Sequence, residues 1–260
     1  MNRSFHLVFF FLLVFIFFSG NSFEDKTSFS VEEIFEIILE KENVPLTRVE
    51  KIYQAKKNYF KILSSREELA IAEEVKSHFQ KAVLKAQEDF DEGNGDISQL
   101  AITKLKLGLS GTLNDIAALK SNIEQARISL AQLIEIKEVK TLSETKFKPE
   151  NFEFSTIDNY VSSLENSGHR WTKPKLKTLM GDLRKAFIRL AEVREKMRLA
   201  QKAKKMTRAL LVTEAANYDF GIGDSEDLFE ALIIYTRVAR GYFRSIYDFN
   251  MAVADIERLN

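Results

Sequence analysis

Apolar side chains recur along this chain at helical spacing, over stretches longer than an ordinary globular core needs. Val75, Phe79, Ala82, Ala86 and Phe90 step 4-3-4-4 and so share one helix face. Ile102, Leu105, Leu109, Leu113, Ile116, Leu119, Ile123, Ala126, Leu130 and Leu133 continue in threes and fours. A third run is the most regular: Leu228, Leu232, Tyr235, Ala239, Tyr242, Ile246, Phe249, Val253 and Ile256 alternate 4-3 throughout. A sustained average near 3.5 predicts a narrow seam packed against a partner helix in a left-handed coil. The first pattern predicts a helix from about Leu46 to Asp91. An arm of about 45 residues is about 68 Å long, which suits a projecting coiled coil. Before it, Ser30 followed by Glu33 makes a capping box. Val31, Ile34, Phe35 and Ile38 form the apolar stripe of a short helix that ends near Asn43 and Pro45.

The arms are broken by a duplicated turn. "FDEGNGDISQL" begins at Phe90 and "YDFGIGDSEDL" at Tyr218, 128 residues on. In this register Asp91, Gly93, Gly95, Asp96 and Leu100 fall on Asp219, Gly221, Gly223, Asp224 and Leu228. Asn122 and Ala126 fall on Asn250 and Ala254 at the same offset. A helical hairpin needs a residue that accepts positive φ where its first arm ends, and Gly93 and Gly221 do so without steric cost. Asp96 and Asp224 are positioned to cap the second arms, with Ser98 and Ser225 as alternative caps. One such turn is explained by stop-and-start chemistry alone. Two in register predict an internal repeat. The expected fold is all-α: two long antiparallel coiled-coil helical hairpins. Residues 23–136 form the first repeat and 175–260 the second, with 137–174 a linker carrying a short helix near Ser155–Leu164. That linker holds two of the three prolines and the only Trp, and Pro149 interrupts the weak alternation of "KFKPENFEF".

Composition narrows the function. The chain has 260 residues, of which 45% are hydrophobic and 29% charged, so it is not a disordered tail. Gly (10) and Pro (3) are scarce, as long helices require. Lys plus Arg and Asp plus Glu both number 38, which gives no overall electrostatic case for nucleic acid or anionic membranes. Arg3, the apolar run His6–Phe18 and the small residues Gly20 and Ser22 read as an export signal over residues 1–22. The alternative is an uncleaved anchor. With no Cys there is neither a disulfide framework nor a lipid-attachment cysteine.

Signatures of enzyme chemistry are missing, and no cofactor is implied. His6 lies in the signal, and His78 and His169 have no ligand partners at metal spacing. "GNGD" and "GIGD" lack the strand context and the lysine of a phosphate loop. Asp224, Glu226, Asp227 and Glu230 are enough carboxylates for a cation, but a solvated helix start is the simpler reading. Lys202, Lys204, Lys205 and Arg208 read as an exposed face rather than a nucleic-acid site, since no aromatic residues interleave. Tyr235, Tyr242 and Tyr247 read as seam packing.

The two hairpins, and "YDFGIGDSEDLFEA" above all, resemble the TolC-like outer-membrane efflux channel family. The resemblance is best over "AVLKAQEDFDEGNGDISQL" with the arm after it, and over "KMTRALLVTEAANYDFGIGDSEDL" with its arm. It is weaker over most of residues 46–135 and 175–259. It implies a homotrimeric tunnel, a twelve-stranded barrel in the outer membrane and a periplasmic helical cylinder. It implies glycine tips that meet a periplasmic adaptor, which links the channel to an inner-membrane transporter. Gly93, Asn94, Gly95 and Asp96, with Gly221, Ile222, Gly223 and Asp224, match those tips. Tyr218, Asp227 and Glu230 match the family's aromatic and acidic entrance positions. Gln99 stands where an acid is common at the first tip, and Gly223 where an arginine is sometimes found, so the closing network is altered. Neither Leu46–Phe90 nor Pro174–Tyr218 contains the strand pair of about ten residues each that a barrel needs. Two readings follow: a passive conduit or docking element of an efflux or type I export system, in the outer membrane or periplasm, or a barrel-less periplasmic scaffold without a pore. A helical hydrolase or metal-binding protein is a third class that nothing in the sequence favours.

Overall fold

The computed structural model describes residues 28–93, 97–168 and 172–259. The signal over residues 1–22 lies outside them, as do Asn94, Gly95, Asp96, His169 and Trp171. The elements run β1 (Ser28–Phe29), α1 (Val31–Lys41), α2 (Pro45–Asp91), α3 (Gln99–Leu133), β2 (Thr141–Leu142), α4 (Ile157–Asn166), α5 (Lys173–Asp219) and α6 (Ser225–Glu257). About 81% of the described residues are helical. The all-α expectation holds.

Local chemistry accounts for the helix starts. The Ser30–Glu33 capping box is formed in both directions at α1. Pro45 opens α2 rather than merely ending α1, and Pro174 occupies the same place in α5. There proline's missing N–H is one that no helix uses, and its φ is already helical. Both α2 and α5 have 47 residues, and their starts are 128 residues apart, the offset of the tip glycines. Each half of the described chain therefore reads short strand, short helix, two long helices. The stretch 137–174 contains β2 and α4, the counterparts of β1 and α1, and β1 pairs with β2 in parallel.

Each long pair forms a hairpin, α2 with α3 and α5 with α6. The hairpins join through α2 and α6, giving a layer in the order α3, α2, α6, α5. Helix α6 is thus covered from two sides. Its 4-3 seam is buried at Leu228, Leu232, Tyr235, Ala239, Ile246, Phe249, Val253 and Ile256. A second face buries Ala231, Phe243, Asn250, Met251 and Ala254. Two expected seam positions shift. Leu113 is exposed, and Thr112 is buried in its stead, its hydroxyl donating to the Gly108 carbonyl 2.9 Å away. Phe90 is also exposed, at the tip end of α2.

Polar contacts fix the register. Arg240 of α6 donates to Glu68 of α2 (3.3 Å) and to Asp115 of α3 (2.5 Å), and Ser64 donates to the same Glu68 (3.2 Å). Glu68 is buried. Away from the tips, residues 147–154 are strapped across the hairpins. Fully buried Asn250 donates to the Lys148 carbonyl and accepts from the Glu150 N–H. Lys56 pairs with Glu150 (3.1 Å) and Glu257 (2.7 Å). Burial alone would lower the Lys56 pKa, but these two carboxylates outweigh it and leave it raised.

Gly108 sits where α3 crosses Phe79 and Phe229. A Cβ there would lie 2.6 Å from the Phe79 ring and 3.1 Å from Phe229, whereas at Gly111 it would meet nothing within 4 Å. Gly111→Ala should therefore stabilise the protein by up to about 1 kcal/mol, the helix-propensity difference. Gly108→Ala should instead destabilise it by about 1–3 kcal/mol, because the fully buried ring must move. Urea unfolding of both variants checks this opposition of sign.

Candidate functional site

The two hairpin tips lie at the same end of the molecule. Lys104, early in α3, pairs with Glu226, early in α6, at 2.6 Å. Lys85 of α2 donates to the carbonyls of Tyr218 (2.6 Å) and Asp219 (3.0 Å), the last residues of α5. A cation thereby meets the negative end of that helix and satisfies carbonyls that have no intrahelical donor. The Lys85 ammonium also stands 5.0 Å from the centre of the Tyr218 ring.

The turn glycines do what their positions demand. Gly93 has φ +68° and Gly221 φ +72°. At the second tip the Gly221 N–H bonds the Tyr218 carbonyl (3.1 Å), and the Ile222 N–H reaches back to Asn217 (2.9 Å). That pair is the Schellman closure. Gly223 is needed for close approach, since a Cβ there would lie 2.9 Å from the Asn217 Cβ. Asp224 caps α6, accepting from the N–H groups of Glu226 and Asp227 at 2.8 Å each. At the first tip the described cap is Ser98, which accepts from the Ala101 N–H at 3.1 Å.

Between these two capped helix starts lies a groove of about 200 Å³, lined by Ser98, Leu100, Lys104, Asp224, Glu226 and Phe229 among others. The tips also present large apolar side chains to solvent: Leu100, on the groove, is 65% exposed, and Phe220 and Ile222 are each 80% exposed.

The expected entrance residues separate. Asp227 and Glu230 are exposed on the outer side of the first turns of α6, and neither makes an ion pair with a described residue. Gln99 is exposed at the start of α3, and its carbonyl accepts from the Thr103 hydroxyl. Tyr218 does not join them. It is buried, and its hydroxyl donates to the Ala82 carbonyl of α2 at 3.2 Å rather than to Gln99 or a tip carboxylate. Burial, with Asp89 and Asp219 nearby, pushes its pKa up to about 12.

Two sequence readings change for reasons of packing. Lys204 and Arg208 are not simply solvated. Lys204 lies 4.1 Å from the centre of the Phe243 ring and 4.9 Å from that of Tyr242, and burial lowers its pKa. Arg208 pairs with Glu74 and donates to the Tyr235 hydroxyl, which in turn donates to Glu74 at 3.1 Å. The cation alternative at the second tip loses two of its four acids, since Asp224 caps and Glu226 pairs. Among the described residues no cluster of three His, Cys, Asp or Glu is arranged to hold a metal. None of their helices is long and apolar enough to cross a membrane.

No protein-family model and no curated protein matches the chain. Solved structures do. The CmeC outer membrane channel of Campylobacter jejuni superposes with a TM-score of 0.66 at 12% identity, covering 88% of this chain and 65% of CmeC. The outer-membrane channel OprN gives 0.63 at 12%, covering 88% and 69%. VceC of Vibrio cholerae, an outer membrane protein, gives 0.60 at 10%, covering 88% and 74%. The protein therefore has the TolC-like fold, specifically its helical hairpins, and spans about two thirds of the length of the channels it matches. Continuous helices occupy Leu46–Phe90 and Pro174–Tyr218, where the resemblance called for strand pairs.

The buried tyrosine yields a pH prediction. Its folded-state pKa is raised from 10.0 to about 12, so its contribution to stability is fully present below about pH 10 and is lost as pH rises through about 12. Tyr218→Phe should flatten the alkaline fall in stability between those values. It should also cost about 1 kcal/mol at neutral pH through the lost hydrogen bond to Ala82. Urea titrations from pH 8 to 12 compare the two proteins.

Proposed function

We propose that this chain is a non-enzymatic component of an efflux or type I export system, a helical docking element whose paired tips contact a periplasmic adaptor. The inner-membrane transporter coupled to that adaptor would supply the driving force. The observation that carries the reading is the apolar end: Phe220 and Ile222 stand exposed on the second tip, and Leu100 stands exposed on the groove between the two capped helix starts. Exposed aromatic and aliphatic side chains rimmed by charge are what a partner helix hairpin buries. Asn94, Gly95 and Asp96 would complete the first contact. Asp227 and Glu230 would lie on its acidic rim, and around the axis of a homotrimer they would form an entrance ring that attracts cations.

A second reading, the barrel-less periplasmic scaffold, is favoured by one observation. Helices α2 and α5 run unbroken through the stretches where barrel strands were expected. Both readings share the docking tips and differ in membrane insertion. Fractionation of the expressed protein separates them: recovery in the outer membrane supports the conduit, and recovery wholly in the soluble periplasm supports the scaffold.

The tips are tested by disulfide trapping. Cysteines at Asn94 and Ile222 should capture an adaptor, whereas cysteines midway along the arms should not; the reverse pattern rejects the tip assignment. Phe220→Asp/Ile222→Asp should weaken capture by the cysteine at Asn94 about tenfold or more without lowering the melting temperature, because neither side chain supports the core.

A further inference from the structure

We propose that copies of this chain join edge to edge in one fixed register, α5 of one copy lying antiparallel along α3 of the next. Such a joint rests on the homotrimer proposed above and supplies its faces and the residues that meet. Helices α3 and α5 are the two edges of the layer. On α3, Leu107, Gly111, Asn114, Ala118, Ser121, Gln125 and Ile128 are all exposed and step 4-3-4-3-4-3 along the outward side. No charged residue stands among them, in a chain that is 29% charged. The solvent side of a surface helix ordinarily carries its charges. On α5, Ile188, Glu192, Glu195, Leu199, Lys202, Met206 and Leu210 are exposed and step 4-3-4-3-4-4, away from the buried Leu183, Phe187 and Leu190. Both spacings average close to 3.5, the repeat of a left-handed coil, so each edge is fitted to a further helix.

Laid antiparallel, the two seams match at one register. Leu210 faces Leu107 and Ile188 faces Ile128, while Met206 and Leu199 stand over the small Gly111 and Ala118. The polar positions match in the same register: Lys202 faces Asn114, Glu195 faces Ser121 and Glu192 faces Gln125. The Asn114 side-chain carbonyl accepts from an ammonium, and the Ser121 hydroxyl and Gln125 amide donate to carboxylates. Both glutamates bring their counter-ions with them, Glu192 paired with Lys196 and Glu195 with Arg198. A slip of one heptad destroys the match. In one direction it sets Glu195 against Ile128, and in the other Lys202 against Leu107. Either slip leaves a charge facing an apolar side chain, which is how polar positions in a coil seam fix its register. The two faces differ, so the joint is heterologous. It runs from copy to copy around a ring and does not close a two-fold pair.

The chain has no Cys, so any disulfide reports an introduced pair. Positions 118 and 199 lie on opposite edges of the layer, out of disulfide reach within one copy. Sedimentation of the full chain should show self-association, and oxidised Ala118→Cys/Leu199→Cys should give covalent multimers. Gln125→Cys/Leu199→Cys and Gly111→Cys/Leu199→Cys, each displaced by one heptad or about 10 Å, should not cross-link. Ala118→Glu should weaken self-association about tenfold or more, because it sets a bulky charge against Leu199. Circular dichroism confirms that each variant folds. Self-association without cross-linking of the Ala118→Cys/Leu199→Cys pair, or with equal cross-linking of the displaced pairs, overturns the joint and leaves the homotrimer standing. So does full-strength self-association of the Ala118→Glu chain. A chain that stays monomeric at every concentration rejects the joint and the homotrimer together.

Discussion

Helices α2 and α6 meet along the middle of the layer, and each is already paired with its own hairpin partner. Neither can move without carrying an entire hairpin with it. The contact is apolar along most of its length but is pinned by Arg240, whose guanidinium reaches both Glu68 and Asp115. A buried carboxylate left unpaired is far more costly than an imperfect apolar contact. The register that pairs Glu68 is therefore the one the hairpins adopt. Lys85 and Tyr218 repeat the constraint nearer the tips, through backbone carbonyls of the opposite hairpin. The position of both tips at one end follows from this register.

The described residues of the tips are accordingly tied down. Their turns are closed by backbone bonds to glycines at positive φ, their helix starts are capped, and the last α5 carbonyls are held by a lysine from another helix. The apolar side chains exposed there, Phe220 and Ile222, are unsupported by the core. Burial of Phe220 or Ile222 would add nothing to the monomer, so a surface of this kind is free to serve a partner. The contrast is with Tyr218, which holds the fold together and is inaccessible.

The strap of residues 147–154 and the β1–β2 pair tie the opposite end. Asn250, aligned with Asn122 by the repeat, supplies the amide that holds the strap. Asn122 lies half-buried. Phe152, Phe154, Tyr160 and Phe187 form an aromatic cluster that seats α4 against α5. The irregular middle of the chain is thus packed, although its sequence pattern is broken.

Periodicity and turn chemistry alone determined the long helices, the capping box, the positive-φ glycines and the duplication, because each depends on residues within a few positions of one another. The narrow 3.5 spacing also showed that every arm needed a partner. Side chains that act across the layer were not legible in this way. Tyr218 reads as a tip residue in sequence and is a core residue in space, because Ala82 and Lys85 come from the other hairpin. Lys204 and Arg208 read as solvated charge until Phe243 and Glu74 are brought beside them. Leu113 and Phe90 fit the seam by spacing, yet lie beyond what their neighbours cover. Spacing along one helix fixes which residues share a face. Which faces are covered, and by whom, is decided only when α2 and α6 meet, since burial and ion pairing are properties of two helices and not of one.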